Sequence, residues 1–178
     1  MDAIEVERLE GPPPGTFDCG REEQNRHLHD QAWLNQQKRL STTSLLMMHG
    51  IAAAFVTVCM DALPLSRQER GMAIPYRWVG SLKLAQLGVD RRFQGAGLGR
   101  WAVSLVVEFA YEIGESVACR YVTLDAQPDL EAWYAAQGFV RNELHQEQRK
   151  AEATLHKRDP ERIPLSMRFD LGAKAPVM

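Results

Sequence analysis

Gln94-Gly95-Ala96-Gly97-Leu98-Gly99 joins the apolar run Leu82 to Val89 to an apolar-periodic run that extends from Leu98 to Ile113. The stretch reads as a strand that feeds a glycine-rich turn and opens a helix. The first amides of a helix lack intrahelical acceptors and sit at the positive end of its dipole, so this arrangement predicts an anion site. Glycine suits the turn because it adopts positive φ and lets a ligand approach the backbone closely. A triphosphate loop needs Gly-Lys followed by Ser or Thr, whereas Arg100 and Trp101 follow Gly99, which excludes that class. The dinucleotide pattern G-x-G-x-x-G begins at Gly95 and Gly97 but meets Arg100 at its third glycine, mid-chain rather than behind an opening strand. Asp125, near the end of the next predicted strand, keeps that reading open.

Downstream, Leu98, Ala102, Leu105, Val106, Phe109, Ala110 and Ile113 share one helical face, with Gly114 as the predicted C-cap. Strands are predicted at Val117 to Leu124, Phe139 to Leu144 and Pro164 to Leu171. A short helix covers Asp129 to Gln137, with Asp129 as its cap. A charged insertion, residues 145–162, separates the last two strands and is predicted to be a surface feature, since Leu155 offers almost no apolar stripe. Upstream, Ile4 to Leu9 alternates as a first strand and ends at the stiff connector Gly11-Pro12-Pro13-Pro14-Gly15. Glu22 to Leu40 is helical but polar, with a narrow stripe of Leu28, Ala32 and Trp33. Thr42 to Met48 and Ile51 to Met60 form a hairpin about His49-Gly50. Asp61 to Pro75 is a loop that leads to the central strand Tyr76 to Val89.

With 178 residues, 45% hydrophobic and 25% charged, the chain is predicted to be a single globular domain over 1–178. A net charge of −2 argues against a surface coated in positive charge for non-specific nucleic-acid binding, while leaving room for a local basic patch. Cys19, Cys59 and Cys119 are odd in number and form no C-x-x-C pair, so a disulfide framework is not expected and a reduced cytoplasm is the expected location. The five histidines show no metal-ligand spacing, and no metal is expected. His27 and His29, two apart, fall on different helical faces and read as solvated. The start Met1-Asp2-Ala3-Ile4-Glu5 lacks a signal-peptide pattern, and no apolar run is long enough to span a membrane.

Gln94-x-x-Gly97-x-Gly99, preceded by Leu87-Gly88-Val89 and followed by an amphipathic helix, resembles the acetyl-CoA pyrophosphate loop of the GNAT superfamily of N-acetyltransferases. Trp133-Tyr134-Ala135-Ala136-Gln137-Gly138-Phe139 is similar to that family's Y-x-x-x-G-F segment. The resemblance implies an α+β, GNAT-like fold, with a central, mixed but mostly antiparallel seven-stranded sheet flanked by helices. It implies acetyl-CoA as co-substrate, with the main chain of Leu87, Gly88 and Val89 along the pantetheine arm. Gln94, Gly95, Ala96, Gly97, Leu98, Gly99 and Arg100 would form the pyrophosphate loop, with Arg91 and Arg92 as outer contacts. Tyr134 would assist departure of the coenzyme A thiolate, although Leu130, Trp133 and Tyr134 also form an ordinary packing stripe. No Asp or Glu lies between Tyr76 and Val89 to serve as base, which leaves Asp125, a water chain or an already neutral amine. Phe17-Asp18-Cys19-Gly20, the polar helix behind it and residues 87–95 resemble the subgroup of type II toxin–antitoxin toxins that acetylate aminoacyl-tRNA. The expected partners are an amine acceptor, small or macromolecular, with tRNA, an antitoxin protein and a second copy of the chain as candidates. A non-enzymatic acyl-CoA-binding module is the remaining alternative.

Overall fold

The computed structural model describes residues 4–13 and 15–173. Its strands are β1 (Glu5–Arg8), β2 (Thr42–Met48), β3 (Ile51–Pro64), β4 (Trp78–Val89), β5 (Tyr121–Ala126), β6 (Val140–Arg141) and β7 (Leu165–Asp170). The helices are α1 (Glu22–Arg26), α2 (Trp33–Gln37), α3 (Arg67–Arg70), α4 (Leu98–Ser116), α5 (Glu131–Ala135) and α6 (Glu143–Leu155). The strands form one mostly antiparallel sheet in the order β1-β2-β3-β4-β5-β7-β6, flanked by helices, as the sequence predicts. Met1 to Ala3 of the predicted signal-free start and Pro14 of the proline connector lie outside the described residues. Among the described residues, no helix is long and apolar enough to cross a membrane.

Two compact units divide the chain: Met1–Cys59 with Leu84–Phe109, and Met60–Lys83 with Ala110–Met178. In the first, β1 pairs antiparallel with β2, and β2 with β3. Glu5, Glu7 and Arg8 put charge along β1, which blunts an edge strand against further pairing. The predicted hairpin closes through His49 and Gly50 at φ 51° and 73°, the left-handed pair that a two-residue turn requires. The core of this unit gathers Leu9, Phe17, Leu28, Ala32, Leu45 and Phe55, with Trp33 packed against it. The predicted polar helix is continuous from α1 to α2 through a π-helical stretch, His27–Ala32.

That stretch overturns one expectation. His27 is 8% exposed rather than solvated, with Nε2 3.1 Å from Thr57 Oγ1 and its ring stacked on Phe55. The π turn carries His27, Leu28 and Ala32 to the buried side together. Burial holds the imidazole pKa below its ordinary value. His29 is half-buried, its Nε2 at 3.1 Å from the Phe17 carbonyl.

In the second unit, β5 and β6 both pair antiparallel with β7. The register sets Asp125 opposite Ser166 and Leu124 opposite Met167, so alternation separates a polar face from an apolar one. The predicted loop from Asp61 to Pro75 is shorter than expected, because β3 continues to Pro64 and α3 follows. Ser66 and Glu69 cap α3 reciprocally, with Glu69 N–H donating to Ser66 Oγ and Ser66 N–H donating to Glu69 Oε2. Glu69 also accepts from Arg168 and from the Glu143 amide that opens α6. β6 is only two residues long, and α6 takes over the rest of the predicted strand and part of the charged segment. Ser166 ties α6 to β7: its amide donates to Gln146 Oε1 at 2.8 Å, and its hydroxyl lies 2.8 Å from His145 Nδ1. α4, which belongs to the first unit as far as Phe109, passes through Gly114 to Ser116 instead of ending there, and Phe109 is 43% exposed; Leu98, Ala102, Val103, Val106 and Ala110 are its buried residues.

Candidate functional site

β4 ends where the Asp90 amide donates to the Ala53 carbonyl at 2.9 Å, and a single 3₁₀ turn, Arg91–Phe93, carries the chain into the glycine loop. Gly95 and Gly97 take φ of 81° and 84°, conformations that side-chain-bearing residues adopt only at a cost. No atom lies within 4 Å of where a Cβ on either would stand. The loop is therefore glycine-rich for conformation and for access, not for internal packing. Trp101 N–H closes the first turn of α4 on the Gly97 carbonyl at 3.1 Å, which leaves the amides of Leu98, Gly99 and Arg100 without intrahelical acceptors. Leu98 is buried and anchors the helix start, while Gln94 to Gly97 and Arg100 are exposed. Gly88 differs: a Cβ there would stand 2.4 Å from Phe55 Cε1, so this glycine lets β4 pass over the Phe55 ring. Leu87 and Val89 on either side of it are half-buried.

The turn ahead of the loop is fastened by charge. Asp90 is 2% exposed, accepts from Arg92 Nε at 2.8 Å and Nη2 at 2.9 Å, and also accepts from the Arg92 amide. These bonds, the Arg92 side chain first, hold its carboxyl down at about 2. Asp18 receives the Gly20 amide at 2.8 Å and Asn25 Nδ2 at 2.6 Å, which hold it below the usual carboxylate range, and Arg91 Nε lies 3.5 Å from it. Arg91 and Arg92, expected as outer phosphate contacts, thus already face carboxylates.

Tyr134 belongs to the second unit and is 7% exposed. Its ring meets Trp133 edge-on at 4.7 Å and Phe139 edge-on at 5.7 Å, and Phe139 lies tilted against Phe169. The Tyr134 carbonyl accepts from the Gln137 amide at 2.9 Å and the Phe139 amide at 3.3 Å, so the Y-x-x-x-G-F segment is a closed turn built on the tyrosine. Gly138 at φ 90° reverses the chain there.

Asp125, the candidate base read from the sequence, is bridged by Lys83 Nζ at 2.8 Å and by Arg149. Two cations already occupy it. Asp129 does not cap the short helix; Gln127 precedes a 3₁₀ turn and Asp129 sits inside that turn. His145 carries no motif in the sequence that marks it. Its pKa is held down by burial and by Arg149 and Lys83, against the opposing pull of Asp125 and Asp61. Among the described residues no group of His, Cys, Asp and Glu could hold a metal ion, and Cys19, Cys59 and Cys119 form no disulfide. Sequence reading also missed Asp90, whose only local signal is its place between a strand end and two arginines.

No protein-family model and no curated protein sequence matches the chain. Its fold matches solved structures over most of its length. A bacterial toxin crystal structure superposes with a TM-score of 0.76 at 18% identity, covering 96% of this chain and 92% of that one. AtaT complexed with acetyl-methionyl-tRNAfMet gives 0.70 at 20% identity, with 78% and 88% covered. AtaTR bound with acetyl-CoA gives 0.67 at 22% identity, with 79% and 88% covered. The GNAT fold expected from the sequence is the fold of these toxins and of this chain.

Proposed function

We propose that this chain is an acetyl-CoA-dependent N-acetyltransferase acting on a primary amine. The observation that carries the reading is the opened amide cradle at the start of α4, with Gly95 and Gly97 left-handed and nothing within 4 Å of their Cβ positions. Unpaired amides and a helix dipole fit a pyrophosphate, and the missing side chains leave room for its oxygens. Acetyl-CoA supplies the activated thioester. The main chain of Leu87, Gly88 and Val89 would hold the pantetheine arm, and the amides from Gln94 to Arg100 the pyrophosphate. Tyr134 would hold a hydrogen bond or give a proton at the departing sulfur, with its ring fixed by Trp133 and Phe139.

For the acceptor, the α-amine of an aminoacyl-tRNA is the favoured reading. Structural neighbours include AtaT with acetyl-methionyl-tRNAfMet, and a Tyr→Phe mutant of AtaT bound to the antitoxin AtaR C-terminus and acetyl-CoA. Phe17-Asp18-Cys19-Gly20 and residues 87–95 support the same assignment from sequence. On this reading a protein antitoxin is the expected partner and the cytoplasm the expected location. The test is a panel of aminoacyl-tRNAs and small amines incubated with labelled acetyl-CoA, with thiol release followed in parallel. Acetyl-aminoacyl-tRNA as the main product supports the toxin reading. Transfer to small amines alone assigns a different acceptor, and coenzyme binding without thiol release makes the chain a binding module.

A further inference from the structure

The geometry points to a clasp formed by Asp90 and Gln94 with residues 18–19 as the positioning device that presets the amide loop for the coenzyme pyrophosphate, an inference that rests on the acetyl-CoA reading above. Three bonds join two short segments that are far apart in sequence. The Asp18 amide donates to Asp90 Oδ2 at 3.1 Å, the Arg91 amide donates to the Asp18 carbonyl at 2.9 Å, and Gln94 Nε2 donates to the Cys19 carbonyl at 2.9 Å. Gln94 Nε2 also reaches the Val89 carbonyl at 2.9 Å. Both ends of the 3₁₀ turn are thus pinned to the same two residues.

Those residues are themselves held. Asn25 on α1 donates to Asp18 Oδ1 and accepts the Cys19 amide at 2.9 Å, so residues 18–19 are a fixed template rather than a second loose loop. A loop that must keep several amides unpaired has few internal bonds to order it. Without a template its ligand would bear the ordering cost. Asp90 stays ionised at any working pH and engages Arg92 through two bonds, so its negative charge is offset by that guanidinium beside the loop. Asp90 and Gln94 act through the loop's shape, as positioning residues.

The test compares two ligands by calorimetry: acetyl-CoA, which carries the pyrophosphate, and pantetheine, which lacks it. Asp90→Asn should raise the Kd for acetyl-CoA about tenfold or more, the loss expected when hydrogen bonds to a charged group are weakened. Gln94→Ala, at an exposed position that keeps folding safe, should raise it several-fold. Pantetheine affinity should not move in either variant, whereas general loosening of the fold would weaken both ligands alike. Unchanged acetyl-CoA affinity in folded Asp90→Asn and Gln94→Ala, or an equal loss for both ligands, overturns the clasp. Gly97→Asp serves as control. If it abolishes acetyl-CoA binding while the clasp variants bind normally, the clasp alone fails; if it binds normally, the coenzyme reading fails with it.

Discussion

Gly97 and Gly138 share a left-handed backbone, at φ 84° and 90°, yet their surroundings differ. A Cβ at Gly97 would meet nothing within 4 Å, while one at Gly138 would stand 3.0 Å from Phe169 Cε2. The glycine loop leaves the amides at the start of α4 without intrahelical acceptors; the turn around Tyr134 pairs its polar main chain within itself and buries rings. Open space beside a conformationally demanding residue is what a ligand cradle requires, and filled space is what a rigid mount requires. Changes in the first region should therefore alter binding with little effect on stability, and changes in the second should do the reverse.

The largest effect is expected in the mount. Phe139→Ala removes a buried ring that touches both Tyr134 and Phe169, and should cost about 3–5 kcal/mol in chemical denaturation. A loss below about 1 kcal/mol would erase the distinction drawn between the regions. Tyr134→Phe keeps the ring and deletes the hydroxyl. Turnover should fall about 10²-fold with acetyl-CoA affinity retained, and full turnover would reduce Tyr134 to packing alone.

Smaller effects sharpen the same contrast. Gly97→Ala places a methyl in open space but penalises the left-handed conformer by roughly 1–2 kcal/mol, so acetyl-CoA affinity should fall about tenfold while the melting temperature falls by only a few degrees. Smallest is the pH response of the first unit. Burial lowers the folded His27 pKa below the 6.5 of the unfolded chain, so the unfolded chain binds more protons as pH falls through that range. Its contribution to stability is complete above about 6.5 and declines as pH drops through that value toward the lower folded pKa. The Asp90 contribution is lost only further down, between 3.8 and about 2. Thermal melts of wild type and His27→Gln between pH 7 and 5 should converge as pH falls; parallel curves would show that His27 does not carry the effect.

Local chemistry made part of this legible in the sequence. Gln94 to Gly99 could be read because strand, glycine turn and helix are contiguous, and Tyr134 to Phe139 because its spacing closes a turn within six residues. α3 was missed although Ser66 and Glu69 have the spacing of a capping box, because prolines and charges around them read as loop. The inward turn of His27 could not be read, since a π stretch breaks the periodicity on which a helical face is assigned. Asp18 and Asp90 are 72 residues apart, and nothing in either segment names the other. The cations on Asp125 come from β4 and α6, which only the folded sheet assembles.

The most direct test of the central claim is a calorimetric titration of acetyl-CoA into the wild-type chain and into Gly97→Asp, with circular dichroism recorded on both. Saturable one-site binding is expected in the wild type. It should be lost in Gly97→Asp at unchanged helix and strand content, because on the proposed reading a carboxylate would then stand where the loop amides are to receive the pyrophosphate. A wild-type chain that does not bind acetyl-CoA, or a folded Gly97→Asp that binds it equally well, would contradict the account.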